Sequence, residues 1–157
     1  MTTKDIKLPP KLGAGDDLDR CIREVSTDPD VEEIWLYGSC AKGNPTPESD
    51  VDLLIVKSEK SAPSPHMGLE IARKISRLRL NLPVETAVVR RDLFLERMKK
   101  PFGIYWDLAH HGKLLYASGL VCLWKARSGK GSEGSPCRRI ALRRAASPTS
   151  SRKTPEG

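Results

Sequence analysis

Apolar and polar positions along the chain predict three short buried strands. Residues 34–37 and 53–56 are apolar runs with the length and the branched side chains of buried strands. Residues 82–89 predict a third strand, in which Glu85 lies among residues that suit burial. An edge-strand glutamate that faces water and a glutamate placed for function both fit this pattern.

Helices are predicted before, between and after these strands. Residues 67–80 place apolar side chains at helical spacing, and residues 90–100 and 102–111 predict two further helices. Before the first strand, Asp16 or Asp17 is the predicted cap of a helix with an acidic first turn. The order of elements predicts an α+β fold, with a small mixed β-sheet and helices packed on one face. The loop of about a dozen residues between the first two strands suits a wide hairpin rather than a crossover.

The composition is that of one modest domain. A length of 157 residues allows a single core. No run of 18 apolar residues occurs, and the N-terminus lacks the apolar stretch of a secretory signal, so neither a membrane span nor export is expected. The four cysteines are widely spaced, which is typical of free thiols in a reducing compartment. We therefore expect a cytoplasmic protein.

The net charge of +7 is concentrated at one end of the chain. Residues 118–157 carry nine of the 27 Lys and Arg residues and two of the 20 Asp and Glu residues, so residues 1–117 are neutral, with 18 of each. A neutral folded part gives no electrostatic reason to bind a nucleic-acid backbone. Residues 118–157 are rich in Ser, Arg, Pro and Gly and predict a disordered basic tail. Binding of RNA or of an acidic partner, and a shifted reading frame, would also account for this composition.

Candidate chemistry lies between the first two strands, where a Gly-Ser turn is followed after ten residues by Asp50-Val51-Asp52. Side chains alternate along a strand, so Asp50 and Asp52 are predicted on the same face, about 6–7 Å apart. Two carboxylates at this spacing suit hard divalent cations. The Gly38-Ser39 turn can present backbone N–H groups to a phosphate, and a helix that starts at Ser39 would add to this anion site.

Segment 38–52, with the spacing G-S-x10-D-x-D, resembles the core motif of the DNA polymerase β-like nucleotidyltransferase superfamily. Gly43 within the segment and Ser49 before the first aspartate resemble the minimal nucleotidyltransferase (MNT) group in particular. A D-x-D pair alone would be weak, since Ca²⁺ loops contain it too, but the glycine and terminal glutamate of such a loop do not follow here. The resemblance covers residues 16–117, in which 112–116 look like the short strand that closes MNT domains.

This resemblance implies an Mg²⁺-dependent nucleotidyltransferase that uses ATP. Family members carry a third carboxylate on the strand after the helix that follows D-x-D, and Glu85 stands at that position, where many relatives have aspartate. Two Mg²⁺ ions would be held by Asp50, Asp52 and Glu85, which are the candidate catalytic residues. Glu85, together with the aspartates, would also help to deprotonate the acceptor.

The resemblance also assigns nucleotide-binding residues. Gly38 and Ser39 would hold the β- and γ-phosphates, and Ser49 would orient the loop or contact a phosphate. Lys42 fits a triphosphate contact as well as an ordinary surface position. The pair His110-His111 follows Asp107 at helical spacing, but without a third His or a Cys nearby it favours a surface or packing role over a zinc site.

MNT proteins are antitoxins in two-gene pairs with HEPN toxins. The resemblance therefore implies transfer of AMP to a hydroxyl of a HEPN-type toxin or another helical partner protein. Larger family members hold the acceptor with a second helical domain, which we do not find after residue 117, so a partner or a second copy in a homo-oligomer is expected to supply the acceptor surface. The predicted organisation is a flexible arm at 1–15, the nucleotidyltransferase domain at 16–117 and the tail at 118–157.

Two other functions fit the sequence. The first is a non-catalytic binding or antitoxin module with a vestigial nucleotide site, although an unneeded pair of carboxylates at Asp50 and Asp52 would be expected to decay. The second is a small-molecule (antibiotic) nucleotidyltransferase, for which the missing acceptor domain is a difficulty. Transfer to a partner protein is the interpretation that the sequence favours.

Overall fold

The computed structural model describes residues 6–61, 64 and 66–119 of the chain. Within these residues four strands form one mixed sheet: β1 (Val31–Tyr37), β2 (Val51–Lys57), β3 (Val84–Arg90) and β4 (Lys113–Ala117). The helices described are α1 (Ala14–Val25), α2 (Gly38–Lys42), α3 (Met67–Ser76), α4 (Arg91–Lys99) and α5 (Ile104–His111). The strand order is β3-β2-β1-β4, with β1 antiparallel to β2 and β4, and β3 parallel to β2. The predicted α+β class and the hairpin of the first two strands are confirmed.

Helices cover both faces of the sheet. On the first face, α1 and α3 pack on alternate strand residues in a core that includes Leu18, Val25, Ile34, Leu36, Leu53, Ile55 and Ile71. On the second face, α4 and α5 contribute to a core that includes Leu54, Val56, Val89, Phe94, Tyr105 and Leu108. The prediction of helices on one face was therefore wrong for α4 and α5. Residues 53–56 of β2 are apolar and buried on both faces, so both faces need cover.

The start of α1 differs from the prediction. Its N-cap is Gly13, in the left-handed conformation with φ of 74°, and no side chain caps the helix. Asp17 lies inside the first turn and is buried, where its Oδ2 accepts hydrogen bonds from the backbone N–H groups of Asn81 (2.8 Å) and Leu82 (3.2 Å). Asp17 therefore holds the connection that leads into β3 in place. The second of these bonds is to Leu82, three residues before Glu85. Without this long-range contact in view, an acidic residue at a helix start looks like a cap.

The ends of the chain bear on the predicted domain organisation. Ile6, within the segment predicted as an arm, is 7% exposed and belongs to the first core. Of the predicted tail 118–157, only residues 118 and 119 are among the described residues, so its disorder stays a prediction. None of the helices in the described ranges has the length and apolar character needed to span a bilayer.

Candidate active site

Asp52 and Glu85 lie side by side on neighbouring strands. In the parallel pairing of β2 with β3, Asp52 is the direct partner of Glu85, so both side chains project from the same face of the sheet. This is the second face, which α4 and α5 cover further along the strands. Asp52 is half-buried and Glu85 is exposed. The sheet therefore brings together two of the three predicted acidic residues, which are separated by a helix in the sequence.

Asp50 lies just before β2 and is exposed. Burial, followed by the negative charges of Glu85, Asp50 and Asp107, raises the pKa of the Asp52 carboxyl group. The predicted acids thus share one electrostatic environment that disfavours a charged Asp52. In the described part of the chain no three His, Cys, Asp or Glu side chains are already gathered into a metal-binding cluster.

The donor set can be tested against the Mg²⁺ ions that the sequence implies. Asp50, Asp52 and Glu85 offer carboxylate oxygens, which are the ligands that Mg²⁺ takes in proteins. Burial, and then the negative charges around it, raise the pKa of the Asp52 carboxyl group. A nearby cation would offset both effects and favour the ionised form. In chemistry and charge these residues fit a divalent metal ion.

Gly38 sits directly against Asp52. Its φ is +71°, a conformation that L-residues rarely adopt, and a Cβ built on it would run into the Asp52 carboxylate, whose Cγ would be 3.0 Å away. The chain turns here from β1 into the short α2, which ends at Gly43 with φ of +78°. The predicted helix at this turn is confirmed, and it begins one residue before Ser39. Glycine is needed at position 38 for the turn to approach the carboxylate.

Replacing Gly38 by alanine is expected to reduce both stability and any nucleotide-dependent activity. The left-handed φ costs an L-residue about 1–2 kcal/mol, and displacement of the Asp52 side chain adds to this. Gly13→Ala is the matched control, because Gly13 has φ of +74°, close to that of Gly38, but nothing within 4 Å of its Cβ position. Urea unfolding should show a larger loss of stability for Gly38→Ala than for Gly13→Ala. Equal losses of stability in the two variants would mean that the close approach to Asp52 does not contribute to the cost of Gly38→Ala.

Ser49 stabilises the loop that precedes Asp50. Its hydroxyl oxygen accepts a hydrogen bond from the backbone N–H of Thr46 at 2.8 Å and lies 3.1 Å from the Thr46 hydroxyl. This hydrogen bond fits the first role predicted for Ser49, which is to orient the loop. A contact between Ser49 and a phosphate stays a prediction.

Asp107 on α5 is part of this site and was not identified from the sequence. Its Oδ2 accepts a hydrogen bond from the Gly38 N–H at 2.8 Å, and its Oδ1 lies 2.7 Å from Lys42 Nζ and 3.2 Å from His111 Nδ1. Burial alone would raise the pKa of Asp107, but the hydrogen bonds from Lys42, Gly38 and His111 hold it below its usual value. The nearest signal in the sequence is the i, i+4 spacing of Asp107 and His111, which also fits a surface helix.

Tyr37 shows how negative this side of the sheet is. It is the cross-strand partner of Asp52 at the end of β1. Burial, together with the charges of Asp52, Glu85 and Asp107, raises the pKa of Tyr37 to about 12. The phenol is therefore protonated at neutral pH and does not add another negative charge.

Comparison with protein families gives one match that covers most of the folded part. The family model described as "Polymerase beta, Nucleotidyltransferase" matches residues 19–118. No curated protein has significant sequence similarity to the chain. The matched range includes the Gly38 turn, both aspartates, Glu85 and Asp107.

Solved structures with a similar fold are distant in sequence. One is a Sulfolobus solfataricus protein classed as a nucleotidyltransferase, with 19% identity, coverage of 65% of this chain and 78% of that one, and a TM-score of 0.44. Another is a chain of a toxin–antitoxin complex with AMP-PNP, with 13% identity, 84% and 98% coverage and a TM-score of 0.44. A third comes from the complex of tri-AMPylated Shewanella oneidensis HEPN toxin with MNT antitoxin, with 12% identity, 83% and 97% coverage and a TM-score of 0.40.

Proposed function

The chain belongs to the polymerase beta nucleotidyltransferase family, and on this premise we propose that it transfers AMP from ATP to a hydroxyl group of a partner protein. The observation that carries the proposal is the pairing of Asp52 with Glu85 on one face of the sheet, directly beside the Gly38 turn. A phosphate-facing turn and neighbouring carboxylates are the two parts that nucleotidyl transfer requires. The motif in segment 38–52 supplies both from a single loop.

In the proposed reaction an acceptor oxygen forms a bond to the α-phosphorus of ATP, and the bond to the bridging oxygen breaks to release pyrophosphate. Asp50, Asp52 and Glu85 would hold two Mg²⁺ ions, which when bound neutralise the triphosphate and assist loss of the acceptor proton. Glu85 is exposed, so an acceptor hydroxyl could approach it, and together with the aspartates it would help to deprotonate that hydroxyl. The Gly38 N–H and the Ser39 hydroxyl would donate hydrogen bonds to the phosphates.

The nature of the acceptor rests on the resemblance to MNT antitoxins alone. Gly43 and Ser49, within the G-S-x10-D-x-D motif, support that group over other family members. In the structure, Gly43 ends α2 and Ser49 closes the loop turn, so both have a definite part in shaping the site. We propose a HEPN-type toxin as the partner and a hydroxyl on its surface as the acceptor, in the cytoplasm.

One observation favours a second candidate function. The acidic residues of the site are near one another, but within the described ranges they are not gathered into a metal-binding cluster. A module that neutralises its partner by docking, with a vestigial nucleotide site, would show the same arrangement. The two functions differ in whether any nucleotide is transferred.

The experiment is incubation of the chain with α-³²P-labelled ATP, Mg²⁺ and the HEPN protein of a neighbouring gene. We expect label on the HEPN protein with the wild-type chain and none with the Asp50→Ala/Asp52→Ala variant. Label that persists with the variant would exclude the proposed site. A stable complex of the two proteins with no label in either reaction would favour docking without transfer.

A further inference from the structure

The Asp107 carboxylate binds two donor groups that the phosphates of a bound triphosphate would also need. Its Oδ2 accepts the Gly38 N–H, and its Oδ1 forms an ion pair with Lys42 at 2.7 Å. Both groups belong to the turn and short helix that follow β1, whereas Asp107 comes from α5, 69 residues along the chain from Gly38. An internal anion thus sits where the proposed function places the phosphates of ATP.

The short helix α2 has support besides its contact with Asp107. The backbone N–H of Gly43 donates to the Cys40 carbonyl at 3.3 Å, and that of Asn44 donates to the Ser39 carbonyl at 3.1 Å, so α2 is closed by its own hydrogen bonds. Cys40 is fully buried in the first core, which anchors the short helix independently of α5. The contact from Asp107 to the Gly38 N–H is therefore an addition to bonds and packing that hold α2 from Ser39 to Asn44.

An arriving triphosphate and Asp107 cannot both accept the Gly38 N–H, and they have to share the Lys42 ammonium group. A backbone N–H has one hydrogen and makes one good hydrogen bond. The site also contains the carboxylates of Asp52 and Glu85, so a phosphate that arrives beside an unmoved Asp107 meets strong like-charge repulsion. Displacing the Asp107 carboxylate frees the Gly38 N–H and the Lys42 ammonium for the phosphate.

We propose that Asp107 is an internal competitor of the nucleotide, which holds the Gly38 N–H and Lys42 until a phosphate group displaces it, and which thereby sets the affinity for nucleoside triphosphate. This inference rests on the proposed function, because it needs phosphates to bind at Gly38. Asp107 acts by being displaced and does not contact the reacting atoms. Its removal should therefore strengthen nucleotide binding, whereas removal of a residue that only supports the fold would weaken it.

The first test is isothermal titration of Asp107→Asn with AMP-PNP and Mg²⁺. Asparagine keeps the size, but its amide oxygen is a weaker acceptor for the Gly38 N–H and it loses the ion pair with Lys42, so we expect binding about tenfold tighter than in wild type. The control is Glu96→Gln, which removes the same charge from an exposed position on α4 and should leave the affinity unchanged. Equal or weaker binding by Asp107→Asn would overturn the inference.

A double-mutant cycle with Lys42→Met separates competition from a general charge effect. Under competition Lys42 is shared between Asp107 and the phosphate in wild type but is free for the phosphate in Asp107→Asn, so Lys42→Met should weaken binding more in the Asp107→Asn background than in wild type. Additive effects would show that Asp107 acts only through its charge, and the inference would fail. If wild type and Asp107→Asn both fail to bind AMP-PNP, the proposed function fails and the inference with it. Binding by wild type without a gain in Asp107→Asn overturns the inference alone.

A crystal structure of the wild-type chain with AMP-PNP and Mg²⁺ tests the displacement without any variant. We expect a phosphate oxygen at the Gly38 N–H and the Asp107 carboxylate moved away from it. A bound nucleotide with Asp107 still at 2.8 Å from the Gly38 nitrogen would overturn the inference.

Discussion

Replacing Asp52 by asparagine is expected to abolish nucleotidyl transfer and, at the same time, to raise the stability of the domain. Transfer should fall by at least about 100-fold, because even residues that only support metal ligands are worth 10–100-fold. The stability should rise because the Asp52 carboxyl is disfavoured in its charged form by burial and by the charges of Glu85, Asp50 and Asp107. Asparagine keeps the shape and removes the charge. The measurements are the rate of label transfer and the midpoint of thermal unfolding.

Asp28→Asn is the matched control for this variant. Asp28 is also partly buried, but the backbone N–H of Asp30 and the ammonium groups of Lys57 and Lys74 outweigh burial and hold its pKa below the usual value. The same substitution should therefore lower stability at position 28 and leave transfer nearly unchanged. A gain of stability in Asp52→Asn and a loss in Asp28→Asn would show that Asp52 is kept for function although it destabilises the fold. A loss of stability in Asp52→Asn would contradict this interpretation.

Replacing Arg91 by methionine is expected to cause a large loss of stability. Glu33 in β1 is fully buried, and its Oε2 lies 3.2 Å from Arg91 Nη1, while Arg91 Nε donates to Glu32 Oε2 at 2.7 Å. The indole N–H of Trp35 also donates to Glu33 Oε2, at 2.8 Å. Removing one partner of a buried ion pair costs about 3–5 kcal/mol, since the other charge stays buried. The free energy of unfolding from urea titration measures this cost.

The double variant Glu33→Gln/Arg91→Met gives the control. It removes both charges, so it should be more stable than Arg91→Met alone and should recover a large part of the loss. Additive losses from the two single variants would show that the pair has no coupling energy. Because Arg91 is the first residue of α4, the variant should also loosen the second face of the sheet, which carries Asp52 and Glu85.

The sequence was most informative where function depends on residues close together in the chain. Gly38, Ser39, Asp50 and Asp52 lie on one hairpin, so the sequence predicted the Gly38 turn between the first two strands. The contact of that turn with the Asp52 carboxylate was seen only in the structure. Glu85 required the family resemblance, because its neighbour on the sheet is set by a parallel pairing that spacing does not show. The roles of these residues in metal and nucleotide binding stay predictions.

What the sequence did not show depends on contacts between distant segments. In the sequence Asp17 looks like a helix cap and Asp107 like a surface acid. In the structure Asp17 accepts hydrogen bonds from two backbone N–H groups and Asp107 from one, all more than 60 residues away along the chain. The packing of α4 and α5 on the second face of the sheet was also missed. The continuous apolar run 53–56 indicated it, since such a strand is buried on both faces. Charge and periodicity describe one element at a time, whereas a hydrogen bond between elements depends on how they pack.

The most direct test of metal binding by the acidic residues is anomalous diffraction from crystals grown with Mn²⁺ and AMP-PNP. We expect a manganese peak between the carboxylates of Asp52 and Glu85, close to Asp50, and its loss in crystals of Asp52→Asn. Nucleotide bound at the Gly38 turn with no manganese at these carboxylates would contradict it.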